Sequence, residues 1–133
     1  MCAAYSTGMC AAQCLKLMGC SRVIGSAGSA EKCALLEQLG IEAFNYKEEP
    51  PLVALQRLCP DGIDIYFDNV GAEHLEAALE VMKDQGRVVA CGTISGYDVP
   101  PEERYGVKNL FLVVAKSITF QGFITNEVNF PPP

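Results

Sequence analysis

Three short stretches of this sequence place polar, chemistry-bearing residues directly behind apolar runs. In Asp61-Gly-Ile-Asp-Ile-Tyr-Phe-Asp-Asn-Val-Gly71, a β-branched and aromatic run stops at Asp68, Asn69 and Gly71. In Gly25-Ser-Ala-Gly-Ser29, small residues follow an apolar run and Lys32 stands three residues on. In Gly86-Arg-Val-Val-Ala-Cys-Gly-Thr-Ile-Ser95, a third run ends at Cys91 and Gly92, with Ser95 and Tyr97 close behind. Ligands of open α/β sheets collect at the carboxyl ends of the strands, which is where these residues would sit.

The elements that must position them alternate along the chain. Ile63–Phe67, bounded by turn residues, has the composition of a strand buried on both faces. Leu75, Ala78, Leu79 and Met82 then fall at i, i+3, i+4 and i+7, which predicts a helix from Ala72 to about Asp84. Upstream, the pattern predicts a largely buried helix over Gly8–Met18 stopped by Gly19, and a strand at Arg22–Ser26. A helix capped by Ser29 follows, with Leu35, Leu36 and Leu39 inward and Gly40 as its stop. A strand at Glu42–Asn45 and a helix opened by Pro50 and Pro51 and ending near Leu58 complete the first half. Downstream, we expect a strand at Arg87–Cys91 and a loop over Gly92–Gly106. A helix face of Val107, Leu110, Phe111 and Val114 and a last strand at Ser117–Ile124 follow. Met1–Ala4 supplies only the end of a first strand, and Asn126–Pro133 is expected to lack structure. Crossovers too long for hairpins make this an α/β fold with a doubly wound parallel sheet, Rossmann-like, its first strand truncated.

Composition bounds the function. The chain has 133 residues, half of them hydrophobic and a fifth charged, which suits one globular domain with a sizeable core. A net charge of −6 argues against a nucleic-acid or anionic-membrane surface, and no apolar run reaches the length of a membrane span. Seven cysteines, an odd number without paired short spacings, fit neither a disulfide framework nor a zinc knuckle, and they are expected as small buried residues in a reducing cytoplasm. The single histidine, His74, lies among Glu73 and Glu76 and is expected as a solvated helix residue, with Glu73, Glu76 and Glu80 as a solvated face.

The loops narrow the ligand. A dinucleotide fold would carry G-x-G-x-x-G in its first turn, where this chain has only Gly8. An NAD site would favour an acid at the end of the strand before Gly25–Lys32. Glycines, serines and then Lys32 stand there instead, a set that suits a 2′-phosphate and therefore NADP.

Five strings occur in order: Leu15-Lys-Leu-Met-Gly-Cys20, Gly25-Ser-Ala-Gly-Ser-Ala-Glu-Lys32, Phe44-Asn-Tyr-Lys47, Pro60-Asp-Gly-Ile-Asp-Ile-Tyr-Phe-Asp-Asn-Val-Gly71 and Gly86-Arg-Val-Val-Ala-Cys-Gly-Thr-Ile-Ser95. Together they resemble the zinc-independent medium-chain dehydrogenase/reductases, over residues 1–125. The nearest branch is similar to the NADP-dependent alkenal, or prostaglandin and leukotriene, reductases. The resemblance implies an NADP-binding domain over 1–125, incomplete at both ends, and a tail over 126–133. It implies that Lys32 and Tyr46 hold the adenosine 2′-phosphate, and that Asn69 lies near the nicotinamide end. Cys91, Gly92 and Ser95 would form the loop over the nicotinamide, and Phe123 and Thr125 would offer backbone contacts to the carboxamide. Tyr97, in Ile94-Ser-Gly-Tyr97, would position the ribose or the substrate carbonyl, although Asp98 replaces the family's asparagine. The implied chemistry is hydride transfer from NADPH to the β-carbon of an enone or enal, with no metal.

The sequence departs from that family in three respects. Tyr5 stands where the first glycine is expected, almost the whole first strand is absent, and the substrate domain is missing. The alternative expectation is therefore a non-catalytic NADP-binding or structural remnant, which could dimerise edge to edge through the last strand.

Overall fold

The computed structural model of the protein describes residues 7–124. Helices and strands alternate from one end of that range to the other. They are α1 (Thr7–Leu17), β1 (Ile24–Ala27), α2 (Ala30–Gln38), β2 (Glu42–Asn45), α3 (Pro51–Leu58), β3 (Ile63–Asp68), α4 (Ala72–Val81), β4 (Met82–Ala90), α5 (Phe111–Ala115) and β5 (Thr119–Gly122). Each strand pair is parallel. Tyr5 and the expected strand end at Met1–Ala4, like Thr125 and the tail, lie outside the described residues.

Sequence chemistry accounts for the helix ends. Ser29 caps α2, its hydroxyl oxygen accepting the Lys32 N–H at 3.4 Å. Gly19 and Gly40, at φ of +90° and +69°, stop α1 and α2 in a backbone conformation that a side chain disfavours. Lysines finish two helices. Lys16 Nζ donates to the carbonyls of Leu39 and Gly40 at 2.7 and 3.2 Å. Lys116 Nζ donates to those of Leu79, Glu80 and Met82 at 3.0, 2.8 and 2.8 Å, placing a cation on the negative end of α4.

Apolar side chains gather on both faces of the strands. On one face Phe44, Tyr66 and Val88 pack with Ala54 and Leu55 of α3 and with Leu75, Ala78 and Leu79 of α4. On the other, Ala27 and the half-buried Phe67 pack with Ala12 of α1 and Leu36 of α2. Two helical layers around parallel strands make this a doubly wound α/β fold. Among the described residues, however, the sheet is in two pieces: β1 pairs with β2, while β3, β4 and β5 form a second ladder in that order. A cavity of about 330 Å³ lies between them, lined by Val23 and Ile24 on one side and Ile63, Ile65 and Tyr66 on the other. The two ladders correspond to strands 2 and 3 and strands 4, 5 and 6 of a 3-2-1-4-5-6 order.

Several expectations change. The strand expected at Arg22–Ser26 forms at Ile24–Ala27, and Leu39, expected inward, is the exposed C-cap residue of α2. The helix expected to reach Asp84 ends at Val81, because Met82 turns extended and pairs with Ile63. Gln85, at φ of +61°, donates its N–H to the Lys116 carbonyl and makes the irregularity in β4. Of the face predicted around α5, Val107 packs on the core as expected, but Leu110, Phe111 and Val114 point outward, 50%, 67% and 82% exposed. Leu112 and Val113 take their place, anchored by buried Asn109, whose amide donates to the Glu76 carbonyl at 2.9 Å. Glu76, expected as solvated, accepts the Lys108 N–H at 2.9 Å. Cys59 is buried as expected, whereas Cys10 and Cys14 are exposed on α1.

His74 is not a solvated helix residue either. Its ring meets the Tyr46 ring edge-on at 5.2 Å, and its Nε2 is buried with no hydrogen-bond partner among the described residues. Burial holds its pKa below the usual value, against the opposite pull of Asp68 and Glu73.

These positions generate two predictions. Leu79→Ala, deep in the core, should cost about 2–5 kcal/mol in urea unfolding, whereas Leu110→Ala should stay within about 0.5 kcal/mol. The His74 shift sets a pH dependence. The unfolded chain binds a proton at about pH 6.5 that the folded chain resists, so stability present above that pH declines as pH falls through it toward the folded value. Thermal unfolding between pH 7.5 and 5 should therefore slope downward more steeply for the native chain than for His74→Phe. Parallel slopes would contradict this.

Candidate functional site

The site is built outward from Asp68, the last residue of β3, which is 1% exposed. Its carboxylate oxygen Oδ1 accepts the N–H groups of Val70 and Gly71 at 3.1 and 2.9 Å and the Tyr66 hydroxyl at 3.1 Å. The chain is thereby turned sharply out of the strand, with Gly71 at φ of +73° as the N-cap of α4. The Asp68 carbonyl also accepts the N–H groups of Cys91 and Gly92, at 2.8 and 3.2 Å. One buried residue thus fixes both strand-end loops.

The β4 loop is then stitched to the β3 loop. The Asn69 carbonyl accepts the Ile94 N–H at 3.1 Å. The Val70 carbonyl accepts both the Ser95 N–H and the Ser95 hydroxyl, at 3.2 and 2.5 Å. Gly92 lies under this stitching. A Cβ there would come within 2.8 Å of both Asn69 Oδ1 and Tyr97 Oη, so only glycine leaves those two groups in place. Tyr97 is 62% exposed, and its hydroxyl oxygen accepts the Thr93 N–H at 3.4 Å. With Ala90, Cys91, Gly122 and Phe123 it borders an open cavity of about 430 Å³.

A second cluster forms at the ends of β1 and β2. The Tyr46 N–H donates to the Ala27 carbonyl at 3.1 Å, bringing the Tyr46 phenol over Gly28. A Cβ on Gly28 would fall 2.8 Å from Tyr46 Oη and 3.3 Å from Lys47 Cε. Ser29 and Lys32, at the start of α2, follow on the same loop. The cluster therefore sets a phenol and the Lys47 side chain beside Gly28, with no carboxylate at the carboxyl end of β1 from Ala27 to Ser29.

The structure thus brings Cys91, Gly92 and Tyr97 together at one cavity, with Asn69 Oδ1 against Gly92, and sets Tyr46 over Gly28, while Lys32 stands in the first turn of α2. Gly8 lies buried in the first turn of α1. Ser95 acts as a staple between loops, its hydroxyl already engaged. The Phe123 N–H donates to the Ala90 carbonyl at 3.1 Å and is not presented to a ligand. Three contributors were not anticipated: Asp68 as the lock, Lys47 beside Gly28, and His74 against Tyr46. The signal for the first was present in Asp68-Asn-Val-Gly71, a spacing that lets a carboxylate accept the N–H groups two and three residues on.

Comparison with known proteins gives the family. The family model for zinc-binding dehydrogenases matches residues 6–132. A zinc-type alcohol dehydrogenase-like protein of Schizosaccharomyces pombe is 50% identical over 127 residues, 95% of this chain and 36% of that protein. The NADP-dependent 2-alkenal reductase of Nicotiana tabacum is 50% identical over 125 residues, 92% of this chain and 36% of that protein. Among solved structures, CurA of Vibrio vulnificus in complex with NADPH gives a TM-score of 0.81 at 33% identity, covering 96% of this chain and 40% of that one. The chain spans a little over a third of the length of these curated relatives. With nearly its whole length matched by the family model and its parallel strands and strand-end loops in the corresponding fold, the chain belongs to the zinc-binding dehydrogenase family.

Proposed function

We propose that this chain is the cofactor-binding part of an NADPH-dependent oxidoreductase that reduces the C=C bond of α,β-unsaturated ketones or aldehydes. The observation that carries the proposal is the cluster at Gly28, where Tyr46 and Lys47 close on a strand end without an acid and Ser29 and Lys32 follow in sequence at the start of α2. Cations and hydroxyl donors suit a dianionic 2′-phosphate, whereas a ribose diol would call for a carboxylate. The 2-alkenal reductase and the NADPH-bound CurA structure support the same cofactor and, for the former, the same substrate class.

NADPH, when bound, supplies the hydride. On this reading Gly92 and Asn69 floor the nicotinamide end, and Asp68 keeps their loops in register. The Tyr97 hydroxyl accepts from the Thr93 N–H, which leaves its own proton for a ribose or carbonyl oxygen. Donation there would stabilise the negative charge that develops on the substrate oxygen. The outward edge of β5, exposed at all four residues, suits a homodimer, and the exposed thiols of Cys10 and Cys14 suit a reducing, cytoplasmic setting. A second reading is a non-catalytic NADP-binding or structural remnant, since among the described residues no ladder joins the two sheets.

Titration of the chain with NADPH and separately NADH, followed by cofactor fluorescence, tests the proposal. Saturable binding should prefer NADPH. Lys32→Ala should weaken NADPH by about 10- to 100-fold, the loss of one charge-assisted contact, while leaving NADH little changed. Equal loss for both cofactors would remove Lys32 from the 2′-phosphate site. Absence of binding in a folded chain would favour the remnant.

A further inference from the structure

His74 carries a cost that its own helix does not offset. Its Nε2 is buried and has no hydrogen-bond partner among the described residues. A buried nitrogen left unsatisfied lowers stability, so a ring that stays there has a reason elsewhere. The contact with Tyr46 supplies that reason. We infer that His74 is a positioning residue: its ring seats the Tyr46 phenol over Gly28 and thereby sets the preference for a 2′-phosphorylated nucleotide over an unphosphorylated one. The inference rests on the reading of the Gly28 cluster as a 2′-phosphate site, whereas the seating of the phenol is open to measurement without any nucleotide.

The main chain around Tyr46 is already fixed. The Tyr46 N–H donates to the Ala27 carbonyl at 3.1 Å. The Asn45 side-chain oxygen accepts the Lys47 N–H at 3.1 Å, and the Asn45 carbonyl accepts the N–H groups of Glu48 and Glu49, each at 3.0 Å. The phenol is less constrained. It is 39% exposed and its hydroxyl makes no hydrogen bond among the described residues, so the staggered positions about its side-chain bonds stay open to it. Two neighbours select one of them. Gly28 leaves room, since a Cβ there would fall 2.8 Å from Tyr46 Oη and 3.1 Å from its Cζ. His74 supplies a ring to lean on, the two centroids lying 5.2 Å apart at an interplanar angle of 79°. Edge-to-face pairs at about 4.5–7 Å are favourable beyond the area that they bury.

The imidazole is held more firmly than the phenol that it meets. His74 stands in the first turn of α4, whose start is pinned by the Gly71 N–H donating to Asp68 at 2.9 Å and the Leu75 N–H donating to the Gly71 carbonyl at 3.2 Å. The support therefore belongs to the half of the molecule built on β3, β4 and β5, and the phenol to the half built on β1 and β2. Charge is not what the ring contributes. Burial disfavours the imidazolium, against the pull of Asp68 from the end of β3 and of Glu73 beside it on α4. On α3, which packs on α4, Arg57 is already paired with Glu49 at 2.6 Å. An uncharged ring against a phenol is a contact that phenylalanine reproduces and alanine does not.

Two measurements test this. The first needs no nucleotide: nuclear Overhauser contacts between the Tyr46 ring and the Gly28 α-protons should be present in the native chain and in His74→Phe, and lost in His74→Ala. The second is fluorescence titration with NADPH and with NADH. His74→Ala should weaken NADPH about three- to tenfold and leave NADH within about twofold, while His74→Phe keeps the native preference. Because His74 acts through Tyr46, His74→Ala should add nothing to the loss caused by Tyr46→Ala when the two are combined. A folded His74→Ala chain that keeps both the contacts and the preference would overturn the inference. So would a lost preference in His74→Phe, or equal weakening of both nucleotides. If His74→Ala does not fold, His74→Leu, which fills the space without a ring, replaces it in both measurements. A native chain without preference for NADPH would overturn the 2′-phosphate reading instead, and the seating of Tyr46 then stands or falls on the first measurement.

Discussion

The buried carboxylate of Asp68 is the interaction on which the rest of the site depends. It accepts from a hydroxyl on its own strand and from two N–H groups of the loop it begins, while its carbonyl accepts from two N–H groups of the neighbouring loop. A carboxylate in so dry a place is tolerable only with its oxygens engaged. The engagement also has a geometric result. It fixes where β3 stops, starts α4 at Gly71, and holds Gly92 where a Cβ would displace the Asn69 amide and the Tyr97 hydroxyl. Stability and site shape come from the same group.

The split sheet gives that lock a wider meaning. The Lys32 and Tyr46 end of the proposed cofactor site is carried by β1 and β2, and the Asn69, Gly92 and Tyr97 end by β3, β4 and β5. No backbone ladder joins these halves among the described residues. They are held instead by helix packing, chiefly α3 on α4, and by the Tyr46 ring against His74, which links the end of β2 to the start of α4. The spacing between the adenosine and nicotinamide ends thus depends on side-chain contacts across the cavity. A nucleotide spanning both ends would hold the two sheets in one fixed relation.

Much of this was legible in the sequence because strongly patterned residues decided it locally. Glu42–Asn45, the Ser29 cap, Pro51 and the Gly19 and Gly40 stops formed as their chemistry dictates. The run Leu75, Ala78, Leu79 and Met82 is buried throughout, although Met82 already belongs to β4. Periodicity marks a buried face but not the residue at which the backbone changes course. The failures lie where tertiary contacts overrode pattern. Leu110, Phe111 and Val114 are spaced like a helix face, yet Asn109 fastened to Glu76 turns the other side inward. His74 sits among acids in sequence but packs against Tyr46, a residue 28 positions away. Of the site residues taken from the family resemblance, Tyr46 follows β2 and Asn69, Cys91 and Gly92 follow β3 and β4, while the Ser95 hydroxyl and the Phe123 N–H already have partners.

The central claim is that the loop between β1 and α2, together with Tyr46, receives a 2′-phosphate. The most direct measurement is amide chemical-shift mapping of the chain with 2′,5′-ADP against 5′-AMP, which differ only in that phosphate. The account predicts saturable shifts at Gly28, Ser29, Lys32 and Tyr46 that require the 2′-phosphate, with Gly92 and Tyr97 unmoved. Shifts of equal size with 5′-AMP, or none at these four amides in a folded chain, would contradict it.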